Sequence, residues 1–263
     1  MSESNTASSM AMLAADPTGR QLGLQLPEGR IVPDPDGAPI LWLSDAAVDA
    51  PTMTRLHTDV ERTGLWPVAL NHEGYTEPVQ PDWPSAPFDA DTVLAAWSTE
   101  YRPLTDYHDY DGCETCEAMI QVPRTFPGAS FAAETDHDPG QAAAVVVADF
   151  LTEAPYLGLV TCEYSADIPT ALGWSGPANR HHEIARFSAI LRKWEDRYGA
   201  RVVALFGASL VCSVARPPRT LDQALELAKE QLAFCPDLTG EFLSLNFHAR
   251  SLIGTSSWSF WWD

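Results

Sequence analysis

Residues Arg201 to Val214 read RVVALFGASLVCSV. Two apolar runs, Arg201–Phe206 and Ser209–Val214, flank Gly207-Ala208. A two-residue loop with glycine first suits a hairpin turn, so the stretch predicts a pair of antiparallel strands. Upstream, Ile184, Phe187, Leu191 and Trp194 recur at spacings of three and four. They mark the apolar stripe of a helix expected from an Asn179 cap to Tyr198 and ended by Gly199. Before that helix, Tyr156–Cys162 reads as a strand followed by a short helical turn at Ile168–Leu172. Downstream, Thr220 and Gln223 resemble a capping box. They predict a helix to about Phe234 that buries Leu221, Leu225, Ala228 and Leu232. A short helix is expected over Leu245–Leu252, and a closing strand over Trp258–Trp262 with Trp258, Phe260 and Trp262 facing the core. The order strand, helix, strand, strand, helix, strand is that of a ferredoxin-like βαββαβ domain of the α+β class, with an antiparallel sheet and helices on one face. A three-strand meander with covering helices fits the same pattern.

This C-terminal domain is expected over residues 154–263. The upstream region, 21–153, reads as a smaller acidic mixed α/β unit. Its expected strands are Gln21–Leu26, Ala38–Leu43 and Leu65–Leu70, and its expected helices are Thr52–Thr63, Asp89–Tyr101 and Gly140–Thr152. Residues 104–139 form an irregular insertion, and Asn71–Pro87 an extended connection. Residues 1–20 are rich in Ser, Thr, Asn and Ala and read as a disordered tail.

The chain carries a formal net charge of −20. Asn179–Asp263 holds ten basic and nine acidic residues, whereas Met1–Ala178 holds six and 27. The acidic excess therefore lies wholly upstream. Repulsion from phosphates argues against nucleic acid and anionic membranes as partners and favours a basic protein. No apolar run reaches the length of a membrane span, and the first residues lack the basic and apolar segments of a secretory signal. Five cysteines, an odd number, do not form a disulfide framework. Together these features lead to an expectation of a soluble cytoplasmic protein with reduced thiols.

Several separated segments resemble one bacterial family. They are Gly173-Trp174, the run Ser188 to Val203 (SAILRKWEDRYGARVV), Pro217-Pro218-Arg219-Thr220-Leu221, Ala233-Phe234-Cys235-Pro236-Asp237 and Trp258 to Asp263 (WSFWWD). In order and spacing they are similar to the actinobacterial-type family known as the domain of unknown function numbered 4253. The likeness is strongest over residues 156–263, and Thr63 to Pro67 (TGLWP) resembles the upstream part of longer members. It implies a bacterial origin and transfers no catalytic residue. The sequence departs from the family pattern after Asp237, where Leu238-Thr239-Gly240 replaces a longer loop.

Few residues offer chemistry. Cys113 and Cys116 form a C-x-x-C pair, with His108 and His137 on either side. The four would suit a tetrahedral zinc ion, although neither histidine stands at a finger spacing. Asp109, Asp111, Glu114 and Glu117 surround the pair. They would raise thiol pKa values, which disfavours a redox role, and they offer an acidic face to a basic partner. Asp106–Glu117 lacks the glycine and oxygen ligands of a calcium loop. Neither Gly173–Pro177 nor Gly207–Val211 completes a nucleophile elbow, and no phosphate-binding glycine motif is present. His181 and His182 read as exposed helix-start residues. Glu195, Asp196 and Arg197 read as solvated or helix-to-sheet ion pairs. Trp261 is the terminal tryptophan expected outside the core, open to stacking against a ligand.

The expectation is a non-enzymatic protein-binding module, one version being a neutraliser of a basic toxin or nuclease. A metal-dependent enzyme built on the Cys/His set and a structural role in a larger assembly are the competing readings.

Overall fold

The computed structural model describes residues 3–71, 88–100, 137–181, 183–240 and 244–263. Its strands are β1 (Gly29–Pro33), β2 (Pro39–Ser44), β3 (Leu65–Leu70), β4 (Tyr156–Thr161), β5 (Ala200–Phe206), β6 (Ser209–Val214) and β7 (Ser257–Trp261). Its helices are α1 (Glu3–Ala15), α2 (Ala50–Thr58), α3 (Val60–Thr63), α4 (Ala90–Glu100), α5 (Pro139–Ala148), α6 (Ile168–Ala171), α7 (Ala185–Tyr198), α8 (Leu221–Phe234) and α9 (Leu245–Leu252). The fold is mixed α and β.

The seven strands form one sheet in the order β1-β2-β4-β3-β5-β6-β7. The ferredoxin-like arrangement expected from the C-terminal pattern is not the one observed. It would place β4 between β6 and β7. Instead β6 pairs with both β5 and β7, while β4 pairs with β2 and β3. The place beside β5 is taken by β3, a strand from the upstream region. β3 pairs antiparallel with β4 from Leu65↔Thr161 to Leu70↔Tyr156, and parallel with β5 at Ala69↔Ala204 and Leu70↔Leu205. The sheet is thus mixed, and upstream and C-terminal residues share it.

Helices cover both faces rather than one. Leu41, Val68, Leu70, Val202, Leu210 and Phe260 belong to a core shared with α4, α7, α8 and α9. Trp42, Ala69, Leu159, Val203 and Val211 point the other way, into a core with α1, α2 and α5. Burial on both faces explains why β3 reads as an unbroken apolar run: all six of its residues are buried. Close packing also fixes Gly158 at the middle of β4. A Cβ there would lie 2.7 Å from Leu70 Cδ1 and 3.0 Å from Leu41 Cδ1.

Several local expectations hold. Thr220 Oγ1 accepts the Gln223 N–H at 3.3 Å, and Gln223 Oε1 accepts the Arg219 N–H at 2.9 Å, closing the start of α8. Gly207 takes the left-handed conformation at the β5–β6 turn, φ 53°. Trp194, Trp258, Phe260 and Trp262 are buried.

Others need correction. The N-terminal segment is helical, not a disordered tail. Met10 and Leu13 bury themselves against the sheet, and Ser9 Oγ donates to Thr63 O at 2.6 Å. The small residues around them dilute the apolar signal but let the helix approach closely. Gln21–Leu26 is not a strand. Gly19 and Gly23, both at positive φ, curl the chain through a 3₁₀ turn, and the strand forms at Gly29–Pro33. An irregular segment laid on a core shows the same period-two apolar pattern as a strand. Asn179 does not cap α7. Residues 175–181 form hydrogen-bonded turns, and the helix starts at Ala185.

His57 on α2 is fully buried, and neither ring nitrogen has a hydrogen-bond partner among the described residues. Burial, aided by the nearby Arg201 charge, lowers its pKa to about 3, and burial lowers that of His248 to about 4. An unfolded chain takes up these protons near pH 6.5, whereas the folded chain resists them down to those lower values. Stability contributed by the neutral rings is therefore complete above pH 6.5 and is lost as pH falls towards 4 and 3. Denaturant titration is expected to show a loss of roughly 3 kcal/mol between pH 6.5 and 5, with His57→Leu removing about half of that slope. In a separate measurement, Gly158→Val is expected to lower unfolding free energy by about 1–3 kcal/mol through overpacking.

Candidate functional site

A cleft of about 570 Å³ opens on the α7 side of the sheet. Phe88, Asp167, Thr170, Ser188, Arg192 and Lys193 line it, with three alanines as its small-residue floor. The cleft exists because α7 grips the 3₁₀ turn Ser165–Asp167, which follows β4. One turn of helix separates the two gripping residues. Glu195 Oε2 accepts from Ser165 Oγ at 3.0 Å and from the Ala166 N–H at 3.1 Å, capping the turn. Arg192 meets Asp167 in a bidentate pair, 2.8 Å for each bond, and its guanidinium lies 4.9 Å from the Tyr164 ring centroid. Ser165 Oγ also accepts the Val202 N–H at 3.2 Å, tying the turn to β5. Burial pushes the Glu195 carboxyl above the ordinary range, and its hydrogen bonds oppose that shift.

Behind the cleft a second carboxylate gathers three contacts from little more than one turn of α7. Glu230 on α8, with 3% of its side chain exposed, accepts Lys193 Nζ at 2.8 Å, Trp194 Nε1 at 2.8 Å and Arg197 Nη1 at 3.4 Å. Lys193 also reaches Asp91 of α4, so three helices meet at one ammonium group. Glu195 and Arg197 are therefore interior anchors rather than solvated charges, and only Asp196 of that trio is exposed.

The polar groups of the cleft are engaged with one another. Thr170 Oγ1 and Ser188 Oγ lie 2.7 Å apart, and Thr170 Oγ1 also donates to Ile184 O at 3.3 Å. A serine nucleophile needs a base at hydrogen-bond distance, and here the partner of Ser188 is another hydroxyl. The arrangement offers paired charges and hydroxyls for recognition.

The residues singled out from sequence are scattered. Cys113, Cys116, His108, Asp109, Asp111, Glu114 and Glu117 lie outside the described residues. His137 is exposed, just before Asp138, whose side chain caps α5. Among the described residues no three His, Cys, Asp or Glu side chains gather as metal ligands. Trp261 is half-buried at the end of β7, where its carbonyl accepts from Cys235 Sγ at 3.0 Å. His181 is not an exposed helix-start residue. It is buried, with its ring centroid 3.9 Å from that of Trp97. Cys212 and Cys235 are buried thiols, and burial pushes Cys235 up to about 12. The cleft residues Asp167, Thr170, Ser188, Arg192 and Lys193 were not evident from sequence. Their one local signal was a lysine and an arginine adjoining the apolar stripe of α7.

Residues 156–263 match the family model described as a domain of unknown function (DUF4253). The match includes α7, α8 and most of the cleft lining, but not β3 or α4. No curated protein and no solved structure matches the chain.

Glu230→Ala leaves Lys193 and Arg197 as buried cations without their shared carboxylate. Chemical denaturation is expected to show a loss of about 3–5 kcal/mol. Asp196→Ala on the exposed side of the same helix is expected to change stability by less than about 0.5 kcal/mol.

Proposed function

We propose that this protein is a non-enzymatic protein-binding module that captures a basic partner, a basic toxin or nuclease being the kind of molecule that fits. The observation that carries the reading is the placement of charge. Met1–Ala178 holds 27 acidic and six basic residues, whereas the rest of the chain is close to neutral. A net negative field speeds encounter with a positive surface and repels nucleic acid. The paired groups of the cleft, Thr170 with Ser188 and Arg192 with Asp167, are in keeping with recognition. Asp109, Asp111, Glu114 and Glu117 are the acidic residues proposed to contribute most to capture, with Trp261 as a further contact.

The test uses a basic ribonuclease as probe in stopped-flow mixing. The association rate constant is expected to fall about tenfold or more between about 20 and about 200 mM salt. Replacing the four acidic residues by their amides should slow association at low salt. Absence of binding to basic proteins at low salt would overturn the proposal, as would binding indifferent to both salt and substitution.

A further inference from the structure

The bonding within the cleft leaves acceptors over. Thr170 Oγ1 has a single proton. Its contacts with Ile184 O at 3.3 Å and Ser188 Oγ at 2.7 Å can both be hydrogen bonds only if Ser188 donates to Thr170. The proton of Ser188, a residue 8% exposed, is then spent inside the wall, and its lone pairs present an acceptor to the cleft. Asp196 completes the lining. Its main-chain carbonyl accepts from Arg216 at 2.8 Å, whereas its exposed carboxylate has no hydrogen-bond or ion-pair partner among the described residues.

The two cations of the cleft are already matched. Arg192 gives two N–H groups to Asp167, and Lys193 binds Glu230 and Asp91. An anionic ligand would compete with Asp167 for Arg192 and lie beside Asp196, so the lining disfavours it. Between the two spare acceptors the wall is apolar, made by Ala171, Ala185, Ala189 and Phe88. Ser188 and Asp196 stand eight residues apart on α7, about 12 Å along its axis. A ligand that meets this pattern has an N–H donor at one end, an alkyl stretch, and a cation at the other. An arginine residue within a peptide has that form, with a main-chain N–H, a methylene stem and a planar fork that suits two carboxylate oxygens. A cleft of about 570 Å³ has room for the residue and its neighbours.

We infer that the cleft is an arginine pocket, in which Asp196 receives the guanidinium and Ser188 a main-chain N–H of the same peptide. Assigning that arginine to a basic protein partner rests on the capture reading above. The ligand class rests on the cleft alone.

The first probe is the blocked tripeptide acetyl-Gly-Arg-Gly-amide, titrated into the full chain and followed by calorimetry and amide NMR. A dissociation constant of about 1 mM or below is expected, with shifts concentrated over Ser188–Asp196. The same peptide with citrulline, an uncharged isostere, should bind about tenfold or more weakly. Asp196→Asn should weaken the arginine peptide about tenfold. Glu28→Gln, which removes the same charge from an exposed position before β1, should weaken it less than about twofold. No binding at about 10 mM peptide overturns the inference. So does equal binding of the citrulline peptide, or an Asp196→Asn variant that binds as well as the native chain. Free arginine binding more tightly than the blocked peptide would assign the pocket to a free guanidino compound and overturn a protein partner as its source. A basic ribonuclease that fails to bind while the peptide binds would overturn the capture reading and leave the ligand class standing.

Discussion

The insertion of β3 between β4 and β5 is the constraint on which the other elements depend. Six antiparallel pairs tie β3 to β4, and a parallel contact ties it to β5, so β3 bridges the two halves of the sheet. β4 and β5 belong to the segment matched by the family model, yet they do not pair with each other. Without β3 each would expose a row of main-chain donors and acceptors inside a core, at about 1–3 kcal/mol for each group left unpaired. Further interactions hold β3 in register. Trp66 Nε1 donates to Cys162 O at 3.0 Å, and the Asn71 side chain accepts the Gly207 N–H at 3.3 Å, closing the β5–β6 turn.

Helix α7 transmits that order to the cleft. Its apolar stripe lies on the sheet, and its polar residues hold the turn after β4 through Arg192 and Glu195 and α8 through Glu230. Buried charge of this kind contributes little net stability but punishes misalignment, since each ion is costly without its partner. The same logic closes the C-terminus. Asp237, within the Ala233–Asp237 motif, accepts Arg180 at 2.8 Å and the Asp263 N–H at 3.2 Å. The family-like motifs are thus, in large part, the residues that weld α7, α8 and β7 together.

Much of the local structure was legible because its causes are local. The Gly207-Ala208 turn, the Thr220 cap and the apolar run Leu65–Leu70 each announce themselves within a few residues. Strand order did not, because partner choice rests on contacts between residues more than a hundred positions apart, as between Ala69 and Ala204. The run Leu65–Leu70 did signal burial on both faces, which helices on one face could not supply. The cleft was hidden for the same reason. Arg192 finds Asp167, and Lys193 finds Glu230, only once the fold has brought distant segments together, so Glu195, Asp196 and Arg197 read as solvated or helix-to-sheet ion pairs. Met10 and Leu13 were masked by the small residues, Ser and Ala, around them.

The most direct test of this account is amide hydrogen exchange on the intact chain. If β3 is integral to the sheet, the amides of β3, β4 and β5 that are bonded within it exchange only through global unfolding, with one shared free energy. Exchange of β3 by a local opening of distinctly lower free energy, while β4 to β7 stay protected, would contradict it.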